Sequence, residues 1–228
     1  MRSANILLGE LAHAGLERRA PRCRLAPGDT ERGLHTVRVE TRREHLALLS
    51  PLRTLLTQIL GDEPERPSVC QMAFAIPSGA RREAFEDRGD DRSGREYHID
   101  GLGRIPNGFA LLVGVALSSP PESRSWGGLT VFPGSHLNVA LHKAYPEIYQ
   151  TGSDGVDLDE PRQLRLEQGD VVVAHSLLAH RRGHNWTSVM RYMAYFRLRP
   201  QRAREDKTWQ AGHEENPLAN VPGVSARL

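Results

Sequence analysis

The chain has 228 residues, with 30 Lys and Arg against 28 Asp and Glu, a formal net charge of +2, 39% hydrophobic and 25% charged residues. That length and balance suit one globular domain over residues 1–228 with a sizeable core. They argue against nucleic acid as a partner, which asks for a strongly basic face, and no run of about twenty apolar residues offers a membrane span.

Two cysteines, Cys23 and Cys70, form no C-x-x-C motif, which excludes a zinc ribbon and leaves two thiols in a reducing compartment as the default. At the N-terminus Ile6-Leu7-Leu8 is too short for a signal peptide and is followed by Glu10. A cytoplasmic protein is expected. The C-terminal Ala226-Arg227-Leu228 is a weak variant of a peroxisomal address and gives the alternative.

In chain order, residues 1 to about 40 are uneven, with an apolar patch from Ile6 to Leu16 and then a basic, Pro-containing stretch. From Thr41 to Leu60 the apolar residues Leu46, Leu49, Leu52, Leu55, Leu56, Ile59 and Leu60 recur at helical spacing. Thr41 is the expected N-cap, with Glu44 completing a capping box, and Gly61 is the stop signal. Pro51 predicts a kink or two consecutive helices. After residue 65 the period shortens. Val69 to Ile76 reads as a strand closed by Pro77-Ser78-Gly79, and Arg81 to Glu96 as a charge-dense loop or lid. Phe109 to Leu117 suits a strand buried on both faces, and Gly128 to Phe132 another. A helix is expected from about Leu137 to Tyr149, and short strands at Leu164–Leu166, Val171–Ala174 and Met190–Leu198. The tail from Pro200 to Leu228 is polar, and is read as wrapping the surface or partly disordered. Helices first and many short strands after predict a mainly β architecture. It has helical support over about 1–65, a jelly-roll core over about 66–199 and a polar tail over about 200–228.

The chemistry concentrates in His98-Ile99-Asp100, His180 and Arg191. Residues i and i+2 of a strand point to one face, so His98 and Asp100 can reach one metal. With a distant His180 they compose the two-histidine, one-carboxylate facial triad of a non-haem Fe(II) oxygenase, which leaves coordination positions open. Arg191, eleven residues after His180, begins the last strand, which an antiparallel return would bring beside the iron strand. Of the other histidines, His175 reads as a packing residue and His136 as part of a turn. His184 is the rival of His180 for the metal. His13, His35, His45, His142 and His213 read as surface. Tyr97 either packs beside the metal or faces substrate.

Four motifs carry a resemblance: Tyr97-His98-Ile99-Asp100; Gly127-Gly128-Leu129-Thr130-Val131-Phe132-Pro133-Gly134-Ser135-His136; Gly169-Asp170 through His180; and Arg191. Over roughly residues 69 to 199 the chain resembles the phytanoyl-CoA dioxygenase family of Fe(II)- and 2-oxoglutarate-dependent oxygenases. The resemblance implies a double-stranded β-helix, a cupin-like jelly roll. It implies iron held by His98, Asp100 and His180, with Arg191 pairing the distal carboxylate of 2-oxoglutarate and Met72 lining the co-substrate pocket. It also implies O2 as oxidant, succinate and CO2 as co-products, and a small organic substrate. The retained Asp100 argues for hydroxylation, since halogenating relatives lose this carboxylate. Two departures stand out: Arg181-Arg182-Gly183 replaces the usual Gly-Ser-Gly, and Gly114 stands where relatives often carry a tryptophan. Two alternatives remain: a non-catalytic jelly-roll module binding a metal or a small acid, and a zinc hydrolase using the same three ligands.

Overall fold

The computed structural model describes residues 34–75, 97–100, 108–120, 126–144, 158–183, 185, 187–206, 218–219 and 221–225. Within these, the strands are β1 (Leu34–Glu40), β2 (Val69–Ala75), β3 (Leu111–Ala116), β4 (Leu129–Val131), β5 (Arg162–Gln163), β6 (Val171–His175), β7 (His180–Arg182) and β8 (Arg191–Leu198). They form two sheets, a major one in the order β1-β2-β8-β3-β6 and a minor one in the order β5-β4-β7, with every pairing antiparallel.

Alternation along the major strands sorts side chains into two layers. On β8, Ala194, Phe196 and Leu198 join Cys70, Met72 and Phe74 of β2 in the largest core cluster, beneath Leu56 and Leu60 of the helical layer. Met193 and Tyr195 point the other way and pack with Ala73, Phe109, Leu112 and Ala174. Both faces of the central strands are therefore covered, which is why Leu111–Ala116 reads as one unbroken apolar run. Ile99, Phe132, Leu141, Leu177 and Ala179 form a third cluster, built around the minor sheet.

The helical segment splits at Pro51, as its sequence predicts. A short α1 (Arg43–Ala47) is followed by a 3-10 turn (Ser50–Leu52) and by α2 (Arg53–Leu60). Gly61 ends α2 in the left-handed region at φ 63°, where a Cβ would also meet Pro222 Cγ at 2.6 Å. The expected cap at Thr41 is corrected. Thr41 still belongs to the sheet side, its N–H donating to the Ser68 carbonyl at 2.9 Å. The helix therefore starts one residue later, and the Arg42 N–H donates to Nδ1 of His45 at 2.9 Å. His45 is accordingly buried, as is His142, whose Nε2 bonds the Ser135 carbonyl at 3.0 Å; neither is a surface histidine.

Other expectations shift. β1 was not anticipated, although Val37 and Val39 alternate onto the core while Thr36 and Arg38 face away from it. β5 lies at Arg162–Gln163, just before the expected strand at Leu164–Leu166, and β7 adds a strand where none was expected. After the Pro-Gly-Ser-His turn, helix begins at residue 139, with the Asn138 Oδ1 accepting the Leu141 N–H at 2.9 Å. The described parts of the tail pack down. Val221 joins the main core, and Arg202 donates to the last carbonyls of α2, Leu60 at 3.1 Å and Gly61 at 3.2 Å. The loop 81–96 and residues 226–228 lie outside the described residues. Among the described residues no helix is long and apolar enough to cross a membrane.

Candidate metal centre

His98 and His180 are far apart in sequence yet directly opposite across a backbone pair. The His98 N–H donates to the His180 carbonyl at 2.9 Å, and the His180 N–H to the His98 carbonyl at 3.0 Å. Opposite residues of an antiparallel pair project to the same face, so the two imidazoles stand 4.2 Å apart, centroid to centroid. Asp100, two residues on, shares that face, with Oδ1 3.6 Å from His98 Nε2. One ligand atom from each of His98, Asp100 and His180 falls within 4.8 Å of the others. Two imidazoles and a carboxylate at that spacing, on one wall of a cavity, suit an octahedral metal with open positions.

Each donor is held by something else. The His180 Nδ1 lies 2.8 Å from the Leu178 carbonyl, which can only accept, so Nδ1 carries the proton and Nε2 keeps its lone pair. The Arg197 guanidinium donates to Asp100 Oδ2 at 2.7 Å and to Gln71 Oε1 at 2.7 Å, and lies 5.5 Å from the Phe109 ring centroid. One carboxylate oxygen is thereby anchored, and the other faces the histidines. Burial alone would raise the Asp100 carboxyl; Arg197, with His180 and His98, outweighs it and holds the group below its ordinary value. Desolvation, then the charge of His180, push His98 down to about 4 against the pull of Asp100, with Arg197 and Arg182 adding to the shift. At neutral pH His98 is therefore a neutral imidazole and Asp100 a carboxylate, as metal binding needs of them.

The turn Pro133-Gly134-Ser135-His136 positions the His180 strand. The buried Ser135 hydroxyl donates to the Phe132 carbonyl at 2.7 Å and accepts the Ala179 N–H at 2.9 Å. It therefore ties β4 to the residue that precedes His180. Tyr97 packs on Phe132, with centroids 5.4 Å apart, in the third cluster. His175 packs against His136, and its Nδ1 accepts the Leu177 N–H at 3.1 Å. His184 lies outside the described residues.

The metal-ligand set opens on a cavity of about 230 Å³ between the two sheets, whose lining includes Arg191. Arg191 is 4% exposed, and its Nε has no hydrogen-bond partner among the described residues. A buried polar atom left in that state asks for an explanation. Its strand does not run beside β7, as the sequence suggested. β8 sits in the centre of the major sheet, between β2 and β3, and faces the histidines across the cavity.

Met72 does not line the cavity. Gln71 and Ala73 do so from β2, and alternation turns Met72 onto the opposite face, where its sulfur lies 3.6 Å from Cys70 Sγ. Burial pushes the Cys70 thiol up to about 12. The sequence reading missed Arg197, Gln71 and Tyr195. The period-2 positions Arg191, Met193, Tyr195 and Arg197 of one strand were the available signal. Tyr195 also explains Gly114: a Cβ there would meet Tyr195 Cε1 at 2.5 Å, so the tyrosine ring fills the space above the glycine.

No family model matches the chain, and no curated protein matches it. Solved structures do. The non-haem α-ketoglutarate-dependent carbocyclase SnoK of nogalamycin biosynthesis matches with TM-score 0.55 at 16% identity, over 90% of this chain and 80% of that one. A prolyl hydroxylase from Trichoplax adhaerens, in complex with a hypoxia-inducible-factor peptide fragment, matches with TM-score 0.53 at 14% identity, over 90% and 81%. HygX from Streptomyces hygroscopicus, with nickel and 2-oxoglutarate bound, matches with TM-score 0.50 at 13% identity, over 87% and 78%. These likenesses define the fold as the double-stranded β-helix.

Proposed function

We propose that the protein is an Fe(II)- and 2-oxoglutarate-dependent dioxygenase of the phytanoyl-CoA dioxygenase type, a single domain that hydroxylates a small organic substrate with succinate and CO2 as co-products. The observation that carries this reading is one cavity holding His98, Asp100 and His180 on one wall and the buried, partner-less Nε of Arg191 on another. The structural neighbours support it: SnoK is α-ketoglutarate-dependent and HygX has nickel and 2-oxoglutarate bound.

In this reading the imidazoles of His98 and His180 and the carboxylate of Asp100 hold Fe(II). When bound, the iron supplies the activation of O2 that an all-protein site cannot. Arg191 pairs bidentately with the distal carboxylate of 2-oxoglutarate and fixes the co-substrate's direction in the cavity. Arg197 keeps Asp100 turned toward the metal. Leu112, Leu129 and Ala73 give the cavity its apolar walls.

The test is an anaerobic Fe(II) titration with and without 2-oxoglutarate, followed by the visible charge-transfer absorption of the chelate. The band is expected in the wild type and absent in His180→Ala and Arg191→Ala. Iron binding without any band in the wild type would overturn the reading in favour of a non-catalytic metal-binding module.

A further inference from the structure

We infer that Tyr195 is a further binding residue for the co-substrate. Its phenolic hydroxyl donates a hydrogen bond to the 2-oxo carboxylate of 2-oxoglutarate, the end that meets the metal-ligand set. The inference rests on the oxygenase reading and adds one contact to it.

Tyr195 lines the cavity from β8 and is 8% exposed. Its ring is fixed from the sheet side. Gly114 is its partner across the β3–β8 ladder, and a Cβ there would stand 2.5 Å from Cε1 and 2.9 Å from Cδ1. One edge of the ring therefore rests on the glycine backbone. Leu112, Ala174 and Met193 belong to the same cluster, with Val172 packed against it. A side chain at 114 and the ring at 195 exclude each other. The glycine lets this part of the wall be built from β8, by a residue that carries a hydroxyl.

That hydroxyl makes no hydrogen bond among the described residues. A tyrosine buried in an apolar cluster ordinarily finds a partner for its O–H. The acceptors close by are engaged. Asp100 Oδ2 receives Arg197 and Oδ1 faces His98. Gln71, opposite Tyr195 in the β2–β8 ladder, also accepts from Arg197. A ligand oxygen in the cavity would supply the missing acceptor.

Position along β8 selects the end of the co-substrate. Arg191, Tyr195 and Arg197 alternate onto the cavity face. At roughly 3.3 Å per residue, Tyr195 is about 7 Å of strand from Arg197, which holds Asp100, and about 13 Å from Arg191. It stands nearer the metal-ligand end than the residue assigned to the distal carboxylate. A phenol suits that place: it donates to a carboxylate without setting another positive charge beside a divalent metal.

The experiment uses the full chain, oxygen-free, in two metal forms. With Mn(II), 2-oxoglutarate is titrated calorimetrically into the wild type, Tyr195→Phe and Tyr192→Phe. Tyr195→Phe keeps the ring over Gly114 and removes only the hydroxyl. It should weaken 2-oxoglutarate by about tenfold or more, as loss of a hydrogen bond to a charged group requires, with the thermal midpoint of the ligand-free protein near the wild type. Tyr192→Phe, on the opposite face of β8 and edge-on to Phe74, should leave the affinity unchanged. With Fe(II), the charge-transfer band of the chelate should persist in Tyr195→Phe and move to shorter wavelength. A hydrogen bond at the 2-oxo carboxylate stabilises the orbital that accepts the electron, whereas one at the distal carboxylate leaves it unchanged. Unchanged affinity in Tyr195→Phe overturns the proposal and leaves the hydroxyl to the substrate. Weaker binding with an unmoved band overturns it too, by moving the contact away from the metal-facing end. If the wild type binds no 2-oxoglutarate, the oxygenase reading fails and this proposal with it; if the wild type binds and Tyr195→Phe matches it, only the proposal fails.

Discussion

The two sheets solve different problems. In the major sheet, strands of five to eight residues pair over long registers, one face is covered by the largest core cluster, and the other is shared between a second cluster and the cavity. In the minor sheet the strands are two or three residues long and are held by side-chain pins as much as by their ladders. Ser135 pins β4 to the approach of β7. Asn185 donates to the carbonyls of Ala75 at 2.7 Å and Val189 at 2.8 Å, joining the loop after β7 to the end of β2. Two of the three candidate ligands lie in the pinned sheet or on the His98 bridge at its edge, while both Arg191 and the anchor Arg197 stand on the strongest strand of the other. The lesson is a division of labour: the major sheet supplies a wall, and the short sheet presents the candidate metal donors against it.

This division can be broken at either side. The largest effect on chemistry is expected from the minor sheet: His180→Ala should abolish metal binding and turnover with a thermal midpoint near the wild type, read by metal analysis and calorimetry. Breaking the wall should do the reverse. Phe196→Ala, at a fully buried position on β8, should cost about 3–5 kcal/mol and lower the whole unfolding transition, read by denaturant titration. Arg197→Gln tests whether the wall orients the donors. It should weaken metal affinity by about 10–100-fold, as loss of an outer partner does, with Arg197→Lys recovering part of it. A merely structural role would lower stability and leave metal affinity unchanged. Ser135→Ala should cost about 1–3 kcal/mol through the stranded Ala179 N–H, and amide exchange should quicken at Ala179 and His180 before it does in β8.

The smallest effect sharpens the electrostatics. In the metal-free protein the His98 value of about 4 lies below its ordinary 6.5, so the unfolded chain binds more protons between those values. Stability from this group is therefore present above pH 6.5 and falls as pH drops toward 4. His98→Gln should flatten that part of a thermal-midpoint profile. A slope unchanged by the substitution would remove His98 as its source.

Much of the architecture was legible because periodicity follows burial. The two-sided run at β3 and the Pro51 break in the helical layer read correctly. The failures have physical causes. β1 was hidden because only Val37 and Val39 meet the core while its cavity face carries Thr36 and Arg38. β7 was hidden because its residues are a histidine and two arginines, which have no strand preference; the cavity requires them, not the ladder. Met72 was placed on the wrong face because a one-residue offset in a strand reverses the side chain. His45 and His142 looked like surface because their partners are backbone groups that composition does not reveal.

By itself, the sequence determined the metal-donor chemistry of the candidate site: two imidazoles and a carboxylate, with His98 and Asp100 bound to one face by their spacing, and an arginine at the head of the last strand. Only the tertiary structure decided that His98 and His180 exchange backbone hydrogen bonds, that Arg191 faces them across a cavity from the opposite sheet, and that Arg197 anchors Asp100. The reason is range. Spacing of two is fixed by the local geometry of a strand, whereas pairing between distant segments depends on which strands the packed layers bring together.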